Sequence, residues 1–169
     1  MRQLNAPFDA PAPDQVTASD AQRIVAVAKT LANGATPGVF ITVDEAGMPR
    51  SRWMTAVSLE DFPILYALTA PTSRKLEHLQ NNPRVSWMFA DETLDVVINL
   101  MGTARVVSDA ETIKRAWRVV RNKTDTPLFR AGTANFGFSV IATEITQIEC
   151  TVIRARFPKL HAPGSSQHN

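Results

Sequence analysis

From Gly38 to Val107 the chain keeps returning to a strand-like hydrophobic period in short runs, each closed by turn residues, and this limits the folds open to it. GVFITVDE is β-branched and aromatic, and AGMP turns it back into RSRWMTAVS, so the pair reads as a hairpin. LEDFP makes another turn before ILYALT. A short helix, SRKLEHLQ, is bounded by Pro71-Thr72 and by Asn81-Asn82-Pro83. VSWMFA and LDVVINLMGTARVV follow as strands, with Gly102 marking a bulge or corner in the longer one. FGFSVIATEITQIEC reads as a last strand or a bent strand pair. About six strands joined mostly by tight turns, without regular βαβ alternation, predict a mainly β (α+β) domain: a small antiparallel barrel flanked by short helices.

Two longer helices frame these strands. Ser19 with Gln22 makes a capping-box pattern ahead of Ile24, Val25, Val27, Ala28 and Leu31, and Asn33-Gly34 stops that helix. Ser108 with Glu111 repeats the pattern ahead of Ile113, Ala116, Trp117 and Val120. Residues 1–16, with Pro7, Pro11 and Pro13, read as a flexible arm, 17–157 as one domain and 158–169 as a flexible tail. The stretch from about Asn122 to Asn135 reads as irregular.

A chain of 169 residues buries enough surface to fold without a disulfide or a metal. Cys150 is the only cysteine, so no intrachain disulfide can form. There is no apolar run of bilayer length and no secretory h-region, so a cytoplasmic protein with no membrane partner is expected. Eighteen Lys and Arg against 16 Asp and Glu leave a net charge of only +2. Lys114, Arg115, Arg118, Arg121 and Lys123 cluster on one helix, where a solvated face explains them, and no nucleic-acid partner is expected.

Familiar catalytic patterns are missing. The sequence has no G-x-S-x-G elbow, no P-loop and no G-x-G-x-x-G. His78, His161 and His168 lack ligand-like spacing with one another or with Cys150, so no metal site is expected. Cys150 reads as a small core residue, and Glu60-Asp61 and Asp91-Glu92 as solvated turn acids. No catalytic residue is assigned: the chemistry of an enzyme built this way would come from a cofactor.

One local conflict points to a ligand. The short helix opens Thr72-Ser73-Arg74-Lys75, which puts two bases where the helix dipole favours acids. Free N–H groups, hydroxyls and two cations there suit a phosphate. The plain alternative is that Arg74 and Lys75 point into water while Thr72 or Ser73 caps the helix. Strand alternation puts Arg50 and Arg52 on one face of the hairpin, either solvated or with Arg52 reaching the same anion. Trp53 and Trp87 read as core residues.

PRSRWMT on one strand, ILYALT on the next, TSRK opening a helix and then NNPRVSWMF together resemble the pyridoxamine 5'-phosphate oxidase-like FMN-binding split barrels, most closely the general stress protein group. The resemblance runs from about Gly38 to Ser108 and implies a split β-barrel. It implies FMN as cofactor, with Arg52 on the phosphate and the backbone of Trp53, Met54 and Thr55 along the ribityl chain and ring. Leu68 and Thr69 match a strand-end pair that contacts flavin, and Ser73, Arg74 and Lys75 match the phosphate-binding helix start. It further implies a homodimer with the flavin at the subunit interface, where the long strand Leu94–Val107 and Trp117 would offer apolar surface.

The departures are also specific. Val57 stands where the vitamin B6 oxidases carry a lysine, and Val97 aligns with a glutamine that approaches the ring. Their C-terminal arginine and histidine pair has no counterpart in QIECTVIRARFPKLHAPG, although Arg154 and Arg156 lie there. The expected function is therefore a flavin-dependent oxidoreductase acting on an unknown small substrate. The alternatives are a non-catalytic flavin-binding stress protein, or a split barrel that binds F420 or haem.

Overall fold

The computed structural model describes residues 17–34, 36–59, 62–123 and 137–152. The 1–16 arm, the 158–169 tail and most of the irregular stretch after Asn122 lie outside them. The first hairpin forms as read: β1 (Gly38–Val43) pairs antiparallel with β2 (Pro49–Met54), setting Phe40 opposite Arg52 and Thr42 opposite Arg50. Asp44 organises its turn, accepting the N–H groups of Ala46 and Met48 and pairing with Arg50 at 2.7 Å. Gly47 supplies the positive φ of 78° that this turn needs.

RSRWMTAVS, read from sequence as the second strand of that hairpin, is not one strand. The chain leaves the hairpin at Thr55, and β3 (Ala56–Ser58) pairs with β4 (Ile64–Thr69) at the far side of the sheet. With β5 (Arg84–Ala90), β6 (Val96–Val106) and β7 (Ser139–Val152), the seven strands run β2-β1-β5-β6-β7-β4-β3, every neighbour antiparallel. The sheet curls into a split β-barrel whose two open edges, β2 and β3, are consecutive in sequence. Gly102 marks the expected bulge: the β6–β7 register shifts between Met101 and Gly102. A Cβ at Gly102 would run into the carbonyl oxygen of Glu144, so only glycine allows the strands this approach.

Among the described residues three helices cover the sheet: α1 (Ala18–Ala32), α2 (Arg74–Asn81) and α3 (Ala110–Lys123). Two start earlier or later than the sequence pattern suggested. The capping box of α1 is Thr17 with Asp20, not Ser19 with Gln22. For α3, Asp109 takes the Thr112 N–H at 2.7 Å, in place of a Ser108–Glu111 box. Each is a serviceable N-cap two residues or one residue away, a shift that local pattern alone resolves poorly.

The main core lies between α1 and the barrel and contains Phe40, Leu65, Trp87, Ile98, Leu100 and Ile141, all inaccessible to solvent. Trp87 stacks between Phe40 and Phe89 and donates its indole N–H to Thr143 at 3.2 Å, so its one polar atom is satisfied. A second cluster beneath α3 holds Val57, Tyr66, Val107, Ala116, Val120 and Val140. Cys150 packs at the edge of the main core, and burial raises its thiol pKa. No helix among the described residues is long and apolar enough to cross a membrane.

Candidate functional site

The start of α2 has the unusual chemistry that its sequence implied. Ser73 occupies the N-cap with extended backbone, but its side chain makes no capping bond. Its hydroxyl instead accepts the Lys75 ammonium at 2.5 Å, and the same Nζ donates to Thr69 Oγ1 at 2.7 Å, at the end of β4. Lys75 is thus half-buried on two neutral oxygens, and the first-turn N–H groups of the helix have no side-chain cap. The plain alternative therefore fails for the Ser73 cap and for Lys75, while Arg74 is exposed as that alternative had it.

Arg52 reaches this place from β2. It lies on the same side of the sheet as Phe40, and its Nη1 donates to Thr42 Oγ1 at 2.8 Å. The guanidinium also lies over the Phe40 ring, 5.8 Å from its centroid. Thr42, fully buried, is bonded in turn to His78 Nδ1 on α2 at 2.8 Å. Arg50, one alternation back, turns away to Asp44.

Burial and, after it, mutual charge act on these cations. Burial, followed by the neighbouring Arg52 charge, holds the Lys75 ammonium below its ordinary range. Burial, followed by the Arg74 charge, does the same to Arg52. The ion pairs Arg50–Asp44 and Lys114–Glu111 lie elsewhere, and none is found to Arg52, Arg74 or Lys75 among the described residues, although Glu77 stands in the same first turn. Like charges collected in a partly buried place repel one another, and an anion among them removes the repulsion.

The other residues singled out from sequence divide. Thr69 joins the cluster directly. Met54 is buried facing the main core, and Thr55 sits half-buried at the break between β2 and β3. Leu68 packs against the α3 cluster. Trp87 is core, but Trp53 is not: it is 69% exposed on the opposite side of β2 from Arg52. On that outer face Trp53 and Met88, both exposed, flank half-buried Val39, and Ile41 and Met101 lie alongside. A shallow cleft of about 420 Å³ opens there between Ile41, Ser86, Met101 and Thr146. Trp117 is half-buried and stacks on Phe138 with centroids 4.6 Å apart, so it belongs to the packing beneath α3 more than to an open surface.

Thr42 and His78 are the polar members that sequence reasoning missed. A threonine in a β-branched run looks like any strand residue, and a lone histidine on a short helix gives no pattern. The only signal was the amphipathic placement of His78 one turn after Arg74 and Lys75, which puts it on their side of the helix. Among the described residues no group of three or more His, Cys, Asp or Glu could hold a metal ion.

Comparison with known proteins agrees with the architecture. The chain is 34% identical over 76 residues to the pyridoxine/pyridoxamine 5'-phosphate oxidase of Cronobacter sakazakii, a match covering 45% of this chain and 34% of that protein. The chain therefore spans about a third of the length of the curated relatives it matches. Among solved structures, a conserved hypothetical protein from Mycobacterium tuberculosis superposes with a TM-score of 0.64 at 19% identity, covering 92% of this chain and 98% of that one. The general stress protein 26 of Bacillus anthracis gives 0.57 at 20% identity, with 79% and 98% covered. A protein described as an F420 reductase also gives 0.57 at 20% identity, with 70% and 93% covered. These likenesses establish the fold. A model of the pyridoxamine 5'-phosphate oxidase family matches residues 24–151, from α1 nearly to the end of β7, and the chain belongs to that family.

Proposed function

We propose that this protein binds FMN and is a flavin-dependent oxidoreductase of the pyridoxamine-phosphate-oxidase-like type that acts on a small substrate. The observation that carries the reading is a helix start without a side-chain cap, where half-buried Lys75 rests on the Ser73 and Thr69 hydroxyls and the charges of Arg52 and Arg74 lie near enough to act on one another, none of the three in an ion pair among the described residues. A phosphate monoester supplies the missing negative charge and enough acceptor oxygens for the cations, the Ser73 hydroxyl and the helix N–H groups. Arg52, Ser73, Arg74 and Lys75 would hold that phosphate. The backbone of Trp53, Met54 and Thr55, with Leu68 and Thr69, would lie along the ribityl chain and ring. Bound FMN would supply the electron transfer, and the protein would fix its position and exclude water.

The reading is kept apart from vitamin B6 oxidation. Val57, at the position of those enzymes' lysine, is buried in the cluster beneath α3, where an ammonium group would be costly. A second copy of the chain is proposed to cover the outer face around Trp53 and Met88, placing the flavin at the interface. Obligate interfaces of this kind bury more than about 2,000 Å². A second reading is a non-catalytic flavin-binding stress protein, a carrier without turnover, in which the polar side chains assembled here would all serve the phosphate end.

The test begins with the absorption spectrum of the purified protein, which distinguishes FMN from F420 and haem. Titration of the apo protein should then show FMN bound far more tightly than riboflavin, and equal affinities would overturn the phosphate assignment. Light scattering should show a dimer, and a flavin-loaded monomer would remove the interface. Steady NAD(P)H oxidation by the loaded protein supports the oxidoreductase; tight binding without turnover supports the carrier.

A further inference from the structure

We propose that Thr42 and His78 are positioning residues that hold the Arg52 guanidinium in line with the start of α2, an inference that rests on the phosphate-site reading above. Thr42 is fully buried in β1, where valine would satisfy the strand equally well. A buried hydroxyl is retained at no cost only when it is fully bonded. Here both of its capacities are used. The oxygen accepts Arg52 Nη1–H and the hydroxyl shares a second hydrogen bond with His78 Nδ1, each at 2.8 Å.

The arrangement answers a mechanical problem. β2 is an edge strand, so Arg52 has a strand neighbour on one side only, and an arginine there has many rotamers to lose when it binds an anion. Thr42 beside the guanidinium and the Phe40 ring beneath it remove most of that freedom before any ligand arrives. His78 extends the effect to the helix. It lies three residues after Lys75, so one side of α2 presents Lys75 to the cluster and His78 to Thr42. The bond chain Arg52–Thr42–His78 ties β2 through β1 to the helix that carries Arg74 and Lys75, and sets the cations from two separate elements in one register.

The experiment measures FMN and riboflavin affinity of the full-length protein for Thr42→Val, Thr42→Ser and His78→Ala, each in the wild-type and the Arg52→Ala background. Thr42→Val should weaken FMN roughly tenfold, the scale of one net hydrogen bond, and leave riboflavin unchanged. Thr42→Ser should restore wild-type affinity. In the Arg52→Ala background Thr42→Val should have no further effect, because its action passes through that guanidinium. No effect of Thr42→Val, the same loss in both backgrounds, or an equal loss for riboflavin overturns the inference. Should Thr42→Val not fold, His78→Ala, at a partly exposed helix position, decides the matter. It should cost about threefold in FMN affinity, at the low end of a single bond, and nothing once Arg52 is gone; any other result overturns the inference. Arg52→Ala that leaves FMN affinity intact overturns the phosphate-site reading itself, which separates the two failures.

Discussion

At the start of α1 the chain closes its own helix end. Thr17 takes the Asp20 N–H, the Asp20 carboxylate returns to the Thr17 N–H at 3.2 Å and its hydroxyl at 2.6 Å, and an acid stands in the first turn. At the start of α2 the cap residue is also a hydroxyl, but it is turned to a lysine, and the first turn opens with two bases. The α3 start, closed by Asp109 with Glu111 in its first turn, follows α1. Closing a helix end with an acid contributes stability. The chain does this at α1 and α3; at α2 the first turn also holds an acid, Glu77, but no side chain caps the helix and no ion pair is found to Arg52, Arg74 or Lys75 among the described residues. The difference separates a helix end that serves the fold from one that is left for a ligand.

The largest test of that contrast is Lys75→Glu. It should leave the apo protein as stable as wild type or slightly more so, because an acid suits the first turn. FMN affinity should fall by roughly 10- to 150-fold from the lost charged hydrogen bond alone, before repulsion is added. Paired thermal melts and FMN titrations check it. Unchanged affinity would place the phosphate elsewhere.

Ser73→Asp makes α2 resemble α1 by supplying the missing cap. Apo stability should rise by up to about 1 kcal/mol, while FMN affinity drops roughly tenfold as the carboxylate takes the phosphate's place. A stabilised variant with undiminished FMN binding would break the comparison.

The smallest effect belongs to the closed end. Thr17→Ala should cost about 1 kcal/mol, or roughly 2–4 °C in melting temperature for a chain of this length, with FMN affinity untouched. The pH dependences of apo stability should run in the same direction but in separate windows, one acid and one alkaline. Hydrogen bonds from Thr17 hold the Asp20 carboxyl below its ordinary range, and Thr112 does the same for Asp109. Their contributions are full above the ordinary carboxylate value and are lost as pH falls through the lowered ones. Lys75 is a depressed base, so its penalty on the apo fold is full at neutral pH and is relieved as pH rises toward the ordinary lysine value, while phosphate affinity falls across that window. Melts from acid to alkaline pH, with and without FMN, read both windows.

The open end was legible because it violated a local rule: bases beside the positive end of a dipole stand out in a bare sequence. The hairpin, Gly102 and the two flanking helices were legible through period and turn chemistry. Other features depend on tertiary packing and leave no periodic trace. Nothing in RSRWMTAVS marks Thr55 as the place where one strand ends and another begins across the sheet, because the run holds no glycine or proline to punctuate it. Trp53 looked like core by residue type, yet it lies on the outer face opposite Arg52. Thr42 and His78 meet only when α2 folds over β1.

The break at Thr55 also sets the order in which the protein can assemble. β1 with β2 and β5 with β6 pair across short connections, whereas β1 meets β5 only across the intervening β2, β3, β4 and α2, Val39 opposite Met88. The β3–β4 hairpin, made early, must wait for the last strand: Ile64 pairs with Glu144 and Thr69 with Ser139. Pairings this distant close slowly, in about milliseconds to seconds for domains dominated by them. During synthesis the apolar run ILYALT is therefore exposed with one edge unpaired until β7 has left the ribosome, and that interval is when the nascent chain is most open to wrong pairing and to chaperones.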